Sequence, residues 1–174
     1  MFRSIAIVIF VFTTTFPALG QGSSALADAQ SLYEKGRFND VITRVDQNLL
    51  EDVESFDAWM LKGNAYQKIE KFVAAIQCYE KAKKIDKNSA LLYANWGNAY
   101  FNLNQLEEAE NLLAKALKLN PDLADAYYYM GNVEYMNYKT NAALRNYNKA
   151  IKLDDNYRDA LYMRAAANAE LQKY

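Results

Sequence analysis

ALLYANWGNAYFNLNQLEEAENLLAKALKLNPDL, residues 90–123, holds two helical patterns back to back. Leu92, Trp96, Ala99 and Leu103 recur at steps of three and four, and after a polar break near Asn104 so do Leu106, Ala109, Leu113, Ala116 and Leu117. Such steps place side chains on one face of an α-helix, so each run predicts an amphipathic helix. The break admits only a tight turn, which makes the two helices antiparallel. Small residues at Gly97 and Ala109 mark a close crossing, where a side chain would force the backbones apart. Tyr100 and Leu113 fill the wedge beside it.

The same pattern returns every 34 residues. Gly63, Gly97 and Gly131 keep this spacing, each followed by an asparagine, Asn64, Asn98 and Asn132. Ala75, Ala109 and Ala143 share it, as do Ala82, Ala116 and Ala150, and the aromatics Trp59, Tyr93 and Tyr127. Tyr66 with Tyr100, Lys81 with Lys115 and Lys149, and Ile85 with Leu119 and Leu153 complete eight columns in one register. Chance does not produce that agreement. Each unit is one helix pair that buries its apolar face only by stacking on its neighbours.

These residues are similar to the tetratricopeptide repeat family, whose pattern is W-x₂-L-G-x₂-Y, then A-x₃-F, then A, then P. Trp59, Gly63, Tyr66, Ala75, Tyr79 and Ala82 match it, with Lys62 where leucine is usual. Tyr93, Gly97, Tyr100, Ala109, Ala116 and Pro121 match again. Tyr127, Gly131, Ala143, Tyr147 and Ala150 match a third time, with Glu134 in place of the tyrosine. The resemblance implies an all-α fold, a right-handed α-solenoid of antiparallel helix pairs. It divides the chain into a degenerate repeat at 22–55, repeats at 56–89, 90–123 and 124–157, and a capping helix at 158–174. In the first of these Ala29 takes the glycine column and Asn48 stands where alanine belongs, as suits a terminal unit facing solvent.

Residues 1–20 differ in kind. A basic start at Arg3, an apolar run from Ile5 to Phe12, a break through Pro17 and the small residues Ala18-Leu19-Gly20 read as a secretory signal peptide cut near Gly20. The run is far shorter than the roughly 20 residues of a spanning helix, so an uncleaved anchor is the weaker reading and the mature chain has no integral membrane segment. Without Arg3 the charged residues number 19 basic against 21 acidic. Near-neutrality gives no electrostatic reason to bind nucleic acid. The expected destination is the periplasm or the exterior.

Catalysis has little to work with. Histidine is absent, which excludes Ser-His and Cys-His pairs and histidine-rich metal sites. Cys78 is the only cysteine, read as a small buried residue, with pairing to a partner left open. The acidic stretch Glu51-Asp52-Val53-Glu54 with Asp57 lacks calcium-loop spacing and reads as a solvated turn. The lysine pairs typified by Lys115 and Lys118 read as solvated caps at helix C-termini. No catalytic residue, metal or cofactor is expected.

What remains is a surface. The resemblance implies that the first helix of each pair lines a concave face touching a protein or peptide partner. The positions so implied are Asn64, Gln67 and Lys68, then Asn98, Phe101 and Asn102, then Tyr128, Asn132, Tyr135 and Met136, and Tyr162 on the closing helix. Asparagine amides can donate to and accept from a peptide backbone, and aromatics supply rigid apolar area. The five places of the family's two-carboxylate clamp hold Met60, Asn64, Asn95, Asp125 and Tyr129, so its three cations are missing. The reading is an exported adaptor or scaffold. Self-assembly into homo-oligomers and an interaction subunit of an enzyme complex are the alternatives.

Overall fold

The computed structural model describes residues 21–51 and 55–172. The signal-peptide reading of 1–20 and residues 52–54 of the acidic stretch lie outside them. Within the described residues the chain forms nine helices and no strands. They are α1 (Gln21–Glu34), α2 (Phe38–Glu51), α3 (Phe56–Lys68), α4 (Phe72–Ile85), α5 (Ala90–Asn102), α6 (Leu106–Leu119), α7 (Ala124–Met136), α8 (Thr140–Leu153) and α9 (Arg158–Leu171). The architecture is an all-α solenoid of helix pairs.

Consecutive helices pack along the whole series, and each odd-numbered helix also touches the next odd-numbered one. The even-numbered helices make no such contact with one another. A stack whose odd helices sit closer together than its even ones curves, with α1, α3, α5, α7 and α9 on the inner side. On that inner side residues of four different pairs converge.

The glycine column sets how closely each pair packs. A Cβ at Gly63 would lie 2.6 Å from the Tyr79 ring, and one at Gly131 would lie 2.5 Å from the Tyr147 ring. Tyr79, Leu113 and Tyr147 occupy one column of the second helices and are fully buried. Each therefore fills the space that a missing side chain leaves on its partner helix.

The turns repeat as strictly as the helices. Gly36, Glu70, Asn104 and Tyr138, each 34 residues from the next, adopt positive φ of 73°, 59°, 58° and 60°. The left-handed residue lets the chain reverse between the two helices of a pair. At the other junction the Oδ1 atoms of Asp86, Asn120 and Asp154 accept from the backbone N–H of Asn88, Asp122 and Asn156. These side chains mimic a backbone turn and set each new pair's direction. Ser55 and Ser89 then cap α3 and α5 by accepting from Ala58 and Leu92 N–H.

Tyr138 is the costliest occupant of its column. A left-handed L-residue costs roughly 1–2 kcal/mol, and at 90% exposure the ring recovers little of it by packing. Tyr138→Gly is expected to stabilise the fold by roughly 0.5–1 kcal/mol after glycine's own entropic cost. Urea denaturation followed by circular dichroism checks this, and a loss of stability contradicts it.

Candidate functional site

On the inner side, α3 and α5 lay down a row of amides. Gln67 Nε2 donates to the Asn95 carbonyl oxygen (2.9 Å) and to the Tyr79 hydroxyl (2.6 Å). Tyr79 donates onward to Asn64 Oδ1 (2.7 Å), which also accepts from Asn95 Nδ2 (2.9 Å). Gln67 Oε1 accepts from Asn98 Nδ2 (3.0 Å), and Asn102 Nδ2 donates to the Asn98 carbonyl (2.7 Å).

One backbone atom orients the whole network. The Asn95 carbonyl can only accept, so the Gln67 atom facing it is the nitrogen. Tyr79 then accepts from Gln67 and must give its own proton to Asn64, which turns Oδ1 toward it. Asn95 is thereby required to present Nδ2 to that oxygen, and Asn98 to present Nδ2 to Gln67 Oε1. Four side-chain amides follow from a single carbonyl.

The network floors a pocket of about 350 Å³. Of the residues expected on this face, Asn64, Gln67, Lys68, Asn98 and Asn102 line it. Tyr33 from α1 and Tyr129 from α7 also contribute, together with Asn95, Glu70 and Phe72. Lys68 and Glu70 bring opposite charges, so the pocket has no dominant sign. Asp125, at one of the places of the family's clamp, accepts a 2.6 Å hydrogen bond from Tyr157.

The other expected residues lie apart from this pocket. Phe101 packs against the central core. Tyr128 joins an aromatic cluster with ring centroids 5.4 Å from Tyr129, 6.3 Å from Tyr147 and 5.1 Å from Tyr157. Asn132 is 8% exposed and accepts from the Tyr147 hydroxyl at 3.0 Å, a buried brace between α7 and α8. Tyr135 pairs with Glu170 of α9. Met136 and Tyr162 stand exposed near the C-terminal end. Two of the repeated lysines are more than solvated caps. Lys115 Nζ sits 4.0 Å from the Tyr93 ring centroid and Lys149 5.6 Å from that of Tyr127, covering the aromatic of the same repeat.

Lys62, which replaces the usual leucine, is 14% exposed and pairs with Asp46 of α2. It clasps the first pair to the second and lies over the rings of Trp59 and Tyr66. Cys78 is buried, and burial pushes its thiol up to about 11, so little of it is thiolate near neutrality.

Burial also raises the hydroxyls of Tyr79, Tyr129, Tyr147 and Tyr157 above the usual 10.0, with Asp125 adding to the effect at Tyr157. A folded-state value above the unfolded one favours the protonated form in the fold. That contribution is intact below pH 10.0 and is lost as pH rises from there toward the folded values. Cys78 acts in the same direction from its ordinary 9.0 upward. With no histidine in the chain, thermal midpoints are expected to stay level from about pH 6 to 8.5 and to fall steeply above about pH 10. A melting series across that range checks this, and a midpoint rising above pH 10 contradicts it.

The tetratricopeptide repeat family model matches residues 56–89, and a second TPR repeat model matches residues 97–137. The chain carries tetratricopeptide repeats. No curated protein sequence matches it significantly. Among solved structures it is similar to the MamA protein, at 25% identity and a TM-score of 0.68 over 89% of this chain and 91% of that one. It is also similar to the first TPR of Spaghetti (RPAP3) bound to the HSP90 peptide SRMEEVD, at 28% identity and a TM-score of 0.63 over 70% of this chain and 96% of that one. PilF of Pseudomonas aeruginosa shares the fold with a TM-score of 0.77 at 20% identity, over 88% of this chain and 70% of that one.

Sequence reasoning missed Tyr33, Asn95 and Tyr129 as lining residues. Asn95 and Tyr129 share a column with Leu61, one place after the column of Met60 and Tyr128, and the curvature of the stack turns that column inward as well.

Proposed function

We propose that this chain is an exported adaptor that holds an extended segment of a partner protein along the inner face of its repeats. The observation carrying this reading is the amide row on α3 and α5, fixed by rigid helices and open as a pocket between α1 and α7. Preorganised amides suit a peptide because the helices have already met the ordering cost. The similarity to a TPR that binds an HSP90 peptide supports peptide capture as the mode.

The chemistry of capture differs from that of an acidic peptide. Lys68 is the pocket's one basic residue, and Glu70 stands in the same lining. Export rests on residues 1–20, whose basic start, apolar run and small-residue end form a secretion signal. Binding without catalysis is supported by the absence of histidine, which removes any Ser-His or Cys-His pair. Among the described residues no helix is long and apolar enough to cross a membrane.

Lys68 and Asn102 are exposed, so replacing them leaves the core intact. Lys68→Glu with Asn102→Ala is expected to reduce capture of the partner from the native source at least tenfold, with helicity unchanged by circular dichroism. Undiminished capture by the folded double variant overturns the assignment.

A further inference from the structure

A second pocket of about 510 Å³ lies between α1 and α3 on the same inner face. Leu26, Ala27, Met60 and Leu61 make it largely apolar, Gln30 and Asp57 complete its lining, and Asn64 borders both it and the amide pocket. The two pockets therefore adjoin at Asn64, one apolar and the other lined by amides. From Met60 to Gln67 is seven residues of helix, about 10 Å, which about three residues of extended chain also cover.

The amide pocket has a defined remainder. Asn64 Oδ1 is engaged by Tyr79 and Asn95, and both ends of the Gln67 amide are engaged. Asn64 Nδ2 and Asn95 Oδ1 make no hydrogen bond among the described residues, which leaves one donor group and one acceptor on neighbouring side chains. An amide supplies the matching carbonyl and N–H. A carboxylate would meet Asn64 Nδ2 but face the Asn95 oxygen with no proton to give. An ammonium would satisfy Asn95 and repel the Asn64 N–H groups.

We propose that the inner face selects an uncharged extended segment in which an aliphatic side chain, seated between α1 and α3, stands about three residues from an asparagine or glutamine held by the amide pocket. The proposal rests on the reading that this face holds a partner segment and adds the segment's chemistry. Lys68 is balanced by Glu70, and Asp57 adds a negative charge beside the apolar pocket, so the lining disfavours an acidic occupant.

Panning a displayed library of random twelve-residue peptides against the full chain tests this. Recovered peptides are expected to pair Leu, Ile or Met with Asn or Gln about three positions away, and Gln→Glu in such a peptide is expected to weaken binding at least tenfold. Ala27→Trp fills the apolar pocket from an exposed position, and Asn95→Ala removes the free acceptor. Each is expected to weaken binding at least tenfold with helicity retained. Acidic or unpaired sequences that Ala27→Trp still blocks overturn the selectivity and leave the partner-segment reading standing. Recovery of no binder, or binders indifferent to both variants, overturns the two together.

Discussion

Tyr79→Ala is expected to cost about 3–5 kcal/mol of stability and to dismantle the inner pocket at the same time. The Tyr79 ring is fully buried on α4, and its edge occupies the space left by Gly63 on α3. Removing it leaves a cavity where a helix crossing was, which the glycine opposite cannot refill. The hydroxyl is equally committed, since it accepts from Gln67 and donates to Asn64. Tyr79→Phe keeps the ring and removes only these bonds, so a smaller loss of about 1–2 kcal/mol is expected. For a chain of this size the alanine variant is expected to melt on the order of 10 °C lower. Thermal denaturation of both variants checks the ranking. A phenylalanine variant as unstable as the alanine one contradicts the role given to the buried ring.

Gly97→Leu is expected to cost about 3 kcal/mol, the upper end of what overpacking usually does. A Cβ at this position would lie 2.8 Å from Leu113 Cγ and 3.2 Å from the Ala109 carbonyl oxygen. The leucine could turn, but the carbonyl belongs to the backbone of α6 and moves only if the whole helix does. Leucine's better helix propensity offsets less than about 1 kcal/mol of the damage. Gly36 is the contrast, because nothing lies within 4 Å of a Cβ there and only its positive φ resists substitution. Chemical denaturation distinguishes these cases, and a stable Gly97→Leu variant contradicts the close crossing of α5 and α6.

The helix pairs were legible because burial imposes a period, and eight columns of it survive in the sequence. The Asp86, Asn120 and Asp154 column was there to be read too, since its spacing matches the glycines. The amide network was not legible in the same way. Asn64, Asn98 and Asn132 look equivalent in sequence, yet Asn98 meets a different kind of neighbour from the other two. Tyr79 and Tyr147 bind Asn64 and Asn132, whereas Leu113 has no hydroxyl to offer and Asn98 reaches back to Gln67 of the preceding repeat. One Tyr-to-Leu difference on the second helices thus removes the brace within the pair at Asn98, whereas Asn64 both braces its own pair and accepts from Asn95 of the next. Tyr33 and Tyr129, 96 positions apart, line one pocket through accumulated curvature, which no local pattern records.

The same physics explains how the inner face is polar and yet largely satisfied from within. Its amides bond one another first and offer a partner only what is left. Rigid presentation by α3 and α5 makes that remainder specific, which is the basis for reading the face as a binding surface.

Site-specific photocrosslinking tests the central claim most directly. Benzoylphenylalanine at position 102, exposed on inner helix α5, and at position 111, exposed on outer helix α6, would be activated in the presence of the native partner. The account predicts a covalent adduct from position 102 and none from position 111. Adducts from position 111 alone, or from both equally, would contradict it.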